Sequence, residues 1–118
     1  MSGATESSPD LSIVLVTVPS EAVAAAMART LVDERLAACV SIVPTLRSIY
    51  TWQGRVCDEA EVLCLIKTRG TLFHALAERV RRLHPYEVPE IVRVAASESS
   101  APYLDWLLAS TRDGAARS

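Results

Sequence analysis

The side chains with the widest chemical reach in this chain are two histidines, His74 and His84, and three cysteines, Cys39, Cys57 and Cys64. Imidazole and thiolate suit zinc and copper. A structural zinc site takes about four such ligands and a catalytic one about three. No C-x-x-C occurs, and no His/Cys set stands at a motif's spacing, so neither a zinc ribbon nor a disulfide framework is indicated. His74 falls on the first turn of a predicted helix, where a surface role is expected. His84 is better placed, because Glu87 and Glu90 follow it in one short loop. Two roles are open to it: metal contact with carboxylate help, or capping of the helix that ends just before it. Cys39 opens a strand after Ala37-Ala38, either as a small buried hydrophobe or as a further ligand brought in by the fold or a neighbour. Cys64 lies inside an apolar run and belongs to the core.

Nothing in the residue pattern points to catalysis. No nucleophile elbow is present, and the glycines at 3, 54, 70 and 114 form no phosphate loop. The net charge of −2 and scattered basic residues argue against nucleic acid. The Arg79, Arg81, Arg82 cluster reads as a solvated helix face, and the aromatic pairs Tyr50/Trp52 and Tyr103/Trp106 as interface packing rather than base stacking. No apolar run reaches the ~18–20 residues of a membrane helix, and Met1–Asp10 lacks the basic and apolar parts of a secretory signal. A cytoplasmic compartment with reduced thiols is expected.

The elements that must carry these residues can be read in turn. A length of 118 residues suits one domain. We expect a disordered leader over 1–10, a folded domain over 11–112 and a frayed tail over 113–118. Leu11 to Val18 is an apolar, β-branched run, read as a strand buried on both faces. Ser20 caps a helix running to about Arg35, with Val23, Met27, Thr30 and Leu31 inward. Ala37 to Trp52 is extended, with Pro44 marking a bulge or an edge. Gln53-Gly54 turns the chain into a partner strand from Val56 to Thr68. In that register Cys64 would face Val43 and Cys39 would face Thr68, too far apart along the ladder to form a disulfide. A second helix follows Gly70-Thr71, with Phe73, Leu76, Val80 and Leu83 buried and Glu78 in reach of Arg82. It stops at Leu83, because His84 precedes a proline. Glu90 to Ala96 reads as a fourth strand, and Ser99, Ser100 and Pro102 open a short final helix.

The resulting order, β-α-β-β-α-β plus a helix, is the split pattern of a ferredoxin-like α+β fold. Acylphosphatases share that fold but work through an asparagine, and this chain has none. Two helices cover one sheet face, yet the first and third strands are apolar on both. A hairpin of about 14 residues per strand spans roughly 45 Å at ~3.3 Å per residue and carries Tyr50 and Trp52 outward. A face and an arm of this kind ask for further copies of the chain, with Tyr50 and Trp52 at the interface.

Five segments, in order, resemble the CutA family: Leu36-Ala37-Ala38-Cys39-Val40, Tyr50-Thr51-Trp52-Gln53-Gly54, Ile66-Lys67-Thr68, His84-Pro85-Tyr86-Glu87-Val88-Pro89-Glu90 and Tyr103-Leu104-Asp105-Trp106-Leu107. The resemblance implies a ferredoxin-like protomer in a homotrimer similar in architecture to the PII signalling proteins. It also implies a role in tolerance of divalent cations, copper above all. Copper ligands assigned in some bacterial members fall here on Val16, Leu83 and His84, so only the histidine is kept. The expected function is a homotrimeric divalent-cation tolerance protein that is not an enzyme. Cu2+ or another divalent ion would be held weakly by His84, Glu87 and Glu90, with Cys39 joining if brought close. The alternative is a PII-like signalling or scaffold trimer that binds a small molecule in a cleft between subunits, with Lys67, Tyr86 and Glu87 supplying polar groups.

Overall fold

The computed structural model describes residues 11–113. The expected leader over 1–10 and all but the first residue of the expected tail lie outside the described residues. Strand β1 (Ser12–Val18) leads to helix α1 (Glu21–Asp33), and the long strands β2 (Cys39–Trp52) and β3 (Arg55–Thr68) form the hairpin. A 3-10 turn over Gly70–Leu72 runs into α2 (Phe73–Leu83), followed by β4 (Val92–Ala95) and α3 (Ala101–Ser110). The sheet order is β2-β3-β1-β4, with every neighbouring pair antiparallel. This is the expected α+β layout, one four-stranded antiparallel sheet with three helices.

Strand alternation decides the two faces. Val14, Val16 and Val18 of β1 and Val62, Cys64 and Ile66 of β3 point one way and are buried. Ala24, Met27 and Leu31 of α1 and Leu72, Leu76 and Val80 from the second helical segment close over them. The Ser20 hydroxyl accepts the Val23 N–H at 3.2 Å, which fixes where α1 begins. On the other face Ile13, Leu15, Leu63 and Leu65 are only half-buried, and Val43, Val92 and Val94 are exposed at 39–49%. Helix α3 packs at the end of the sheet, where Leu107, Leu104 and Leu108 meet Leu11, Ala38 and Ala96. The second apolar face expected from β1 and β3 is therefore present, and most of it stays open within one chain.

Several boundaries differ from expectation. Helix α1 stops at Asp33 because Arg35 takes a left-handed conformation (φ 60) and Leu36 N–H bonds back to Leu31 C=O at 3.0 Å. The Arg35 guanidinium then reaches the Ala109 carbonyl, while Arg69 holds those of Leu108 and Thr111. Two cations thus sit on the carbonyl end of α3, where the helix dipole favours them. Glu78 pairs with Arg81 at 3.0 Å rather than with Arg82.

The hairpin register also differs. Trp52 faces Arg55 across Gln53-Gly54, both at positive φ, as a two-residue primed turn requires. Between Leu46 and Val43, however, two residues of β2, Pro44 and Thr45, oppose the single residue Val62 of β3. Thr45 takes φ 54, a conformation that a β-branched residue adopts only under constraint. Inward of this bulge the register moves by one, so Cys64 faces Ile42 and Cys39 faces Lys67. All three cysteines are free thiols.

Candidate functional site

The loop after α2 is fixed by one side chain. His84 is 8% exposed, and its Nε2 lies 2.7 Å from the Thr17 carbonyl at the end of β1. A carbonyl only accepts, so Nε2 carries the proton and donates. Nδ1 then accepts the Tyr86 N–H at 3.0 Å. The imidazole is thereby held as one neutral tautomer, with both nitrogens occupied. It ties the loop to the sheet and does not cap the helix with its side chain. A metal ion would reach His84 only by displacing one of these two bonds.

The loop in turn places Tyr86, whose ring lies 4.7 Å from the His84 ring. The Tyr86 hydroxyl donates to Glu61 Oε2 at 2.6 Å. Burial first, and then the Glu61 hydrogen bond and charge, push the Tyr86 phenol well above its usual range. Glu61, opposite Leu46 on the hairpin, is only 5% exposed. Beside it stand Tyr50 and Trp52, the Tyr50 hydroxyl donating to Glu59 at 3.3 Å. The Tyr50 phenol is also pushed up, by burial and then by the Glu59 charge. Together these groups line a cleft of about 480 Å³ whose rim includes Glu87, Val88 and Glu90. Three carboxylates and no basic side chain face it.

The proposed ligand residues are therefore divided. His84, Glu87 and Glu90 share one end of the sheet with the cleft. Cys39 does not: it pairs with Lys67, itself opposite Ile13, while His84 contacts Thr17. Four residues of strand separate the two places, roughly 13 Å at ~3.3 Å each. Within the chain, Lys67 stands apart from the cleft as well. Its ammonium donates to Ser41 Oγ at 2.7 Å and lies 3.9 Å from Cys39 Sγ. Among the described residues no three His, Cys, Asp or Glu side chains come close enough together to hold a metal ion.

Thr17 and Glu61, whose hydrogen bonds hold the loop and Tyr86 in place, were not among the expected site residues. Thr17 contributes through its backbone carbonyl, which no side-chain pattern reveals. Glu61 gave one signal: an acid immediately before the apolar run Val62–Ile66, in phase with its half-buried face.

A family model described as "CutA1 divalent ion tolerance protein" matches residues 12–110. The chain belongs to the CutA1 family. Among CutA1 relatives, the divalent-cation tolerance protein CutA of Thermus thermophilus is 57% identical over 99 residues, 84% of this chain and 96% of that protein. The mouse protein CutA is 45% identical over 97 residues, and there the match spans 82% of this chain but only 55% of the relative. In structure, the Thermus thermophilus protein superposes with a TM-score of 0.84 at 55% identity, covering 86% of this chain and 99% of that one. CutA1 from Oryza sativa gives 0.86 at 41% identity, covering 91% and 98%.

Proposed function

We propose that this chain works as a homotrimeric divalent-cation tolerance protein of the cytoplasm, binding copper or a similar ion weakly and catalysing no reaction. Family membership supports the tolerance role. The charge of the cleft carries the metal part: Glu61, Glu87 and Glu90 face one space with no basic lining residue. With both nitrogens of His84 bonded, the first contact falls to carboxylates, and affinity stays low because the site is not preformed. Copper has the highest intrinsic affinity of the first-row divalent ions and is the one to try first. Cys39 joins a metal only through another subunit, since its own chain holds it beside the Lys67 ammonium. The trimer is supported by the open apolar face and by Ile49 and Val56 on the arm, 63% and 76% exposed. Among the described residues no helix is long and apolar enough to cross a membrane, and the free thiols suit a reducing compartment.

The test is calorimetric titration of copper into wild type, His84→Ala and Glu87→Gln/Glu90→Gln at pH 7.5. Heat that disappears in the double variant while the oligomer persists supports the reading. An isotherm unchanged by the double variant removes the cleft as the metal's seat.

The size of the cleft favours a second reading, a PII-like signalling or scaffold trimer whose ligand is a small molecule. A volume of about 480 Å³ lies within the usual range of ligand pockets, about 300–1,000 Å³. Tyr86 and Glu87 supply polar groups here. Lys67 contributes only if a neighbouring subunit brings its own copy to the cleft.

A further inference from the structure

Glu61 is the least settled polar group near the cleft. It is 95% buried, since its exposure is 5%. One carboxylate oxygen, Oε2, accepts the Tyr86 hydroxyl. The other, Oε1, has no donor among the described residues, and none of their ion pairs includes Glu61. A carboxylate removed from water is costly unless a cation and further hydrogen bonds compensate it. A cation that carries an N–H would meet both needs at once. The walls narrow the choice. Within one chain Trp52 and Tyr50, which also stand at the proposed subunit contact, line the cleft with aromatic faces 42% and 38% exposed, and such faces attract organic cations. Glu87 and Glu90 at the rim add negative charge at some distance from Glu61. A bare metal ion gains less from aromatic walls than an organic cation does.

Resting on the reading that the cleft holds a small molecule, we propose that its ligand class is a primary alkylammonium. The ammonium sits on Glu61 Oε1, the alkyl chain lies against Trp52, and a second amine, where present, meets Glu87 or Glu90. Charge drives recognition, Glu61 supplies direction through its free lone pairs, and the tyrosine on Oε2 keeps the carboxylate turned toward the space.

The probe is 1,4-diaminobutane, titrated into the full chain and followed by calorimetry and tryptophan fluorescence. We expect saturable binding that weakens with salt. Three comparisons test the chemistry. The neutral 1,4-butanediol should give no heat. The fully N-permethylated, bis(trimethylammonium) diamine, which keeps both charges but donates no hydrogen bond, should bind at least tenfold more weakly. Glu61→Gln, a near-isosteric change, should lose at least tenfold in affinity at unchanged sedimentation. If the diol binds as well as the diamine, or the permethylated diamine matches it, the proposal is overturned on wild-type protein alone, even if Glu61→Gln fails to fold. If the diamine binds only while dissociating the oligomer, the cation belongs to a second copy of the chain, and the proposal falls. If the diamine is silent but a nucleotide panel binds, the small-molecule reading stands and the amine assignment fails. If both are silent, the two fall together, and copper heat alone would support the metal reading.

Discussion

Replacing Tyr86 with phenylalanine removes one oxygen and leaves the ring packing. In the folded chain that oxygen donates the 2.6 Å hydrogen bond to Glu61, the one donor this buried carboxylate has among the described residues. Hydrogen bonds to charged groups contribute about 1.5–3 kcal/mol, and leaving the acceptor buried and unpaired sets the upper part of that range. Tyr86→Phe should therefore lower unfolding free energy by about 2 kcal/mol. The assay is urea denaturation at pH 7.5 and one fixed protein concentration, since oligomer stability depends on concentration. The second variant, Tyr86→Phe/Glu61→Gln, should recover part of the loss, because a neutral amide is cheaper to bury than a carboxylate. The pH dependence supplies a separate check. The folded phenol of Tyr86 is raised, so an unfolded tyrosine ionises first, near pH 10. Above that pH the folded state binds more protons than the unfolded one, and stability falls as pH rises. Below pH 10 the contribution is complete and flat. The slope is at most about 1.4 kcal/mol per pH unit, less with solvent screening at this half-buried group. Tyr86→Phe should flatten this alkaline limb. A variant within about 0.5 kcal/mol of wild type that keeps the wild-type alkaline slope would refute the view that Tyr86 satisfies Glu61.

Three further outcomes are expected. Sedimentation at micromolar concentration should give about three times the 12.8 kDa chain mass, and Trp52→Asp should shift it toward the monomer, because an unpaired charge in an interface is costly; unchanged sedimentation would place Trp52 outside the contact. Gly54→Ala should cost about 1 kcal/mol, read as a lower urea midpoint, purely from the φ of +78, since an added Cβ meets nothing within 4 Å; no change would mean the turn relaxes freely. Arg79 holds the Glu34 carboxyl below its ordinary 4.5 by a bidentate hydrogen bond, so the pair's contribution is present above that pH and lost as pH falls through the lowered value. With both side chains about a third exposed, the acid loss should be no more than about 0.5 kcal/mol, and Glu34→Gln should remove it from the urea midpoints between pH 7 and 3.

Much of the fold was legible because it rests on local periodicity. The alternation in β1 and β3, the Ser20 cap and the stripe Phe73, Leu76, Val80, Leu83 each follow from residues a few positions apart. Pro44 announced an irregularity in β2 but not its size, and the register inward of it was misjudged by one residue. That step is the reason Cys39 meets Lys67 instead of Thr68. The site was legible in its parts and not in its pairing. His84, Tyr86, Glu87, Tyr50 and Trp52 all stood out by type. Their arrangement depends on long-range bonds, Thr17 to His84 and Glu61 to Tyr86, which span 67 and 25 residues and leave no mark on the sequence between them.

The bulge at Pro44 and Thr45 also makes the hairpin a strand with two independent alphabets. Inward of it, the odd positions Cys39, Ser41 and Val43 share the open face with Leu63, Leu65 and Lys67. Outward of it, the even positions Ser48, Tyr50 and Trp52 share that same face with Glu59 and Glu61. Loss of a single codon there would therefore remove the bulge and leave every other cross-strand pair in place. Leu46 would still face Glu61, and Tyr50 and Trp52 would keep the open face, now in one unbroken alternation with Val43. The sides of the arm are thus set by its pairing with β3 and not by its count of residues from the base. For a chain whose cleft is lined from the arm and whose core is built at the base, that one extra residue is slack that a deletion can take up without exchanging the faces of either.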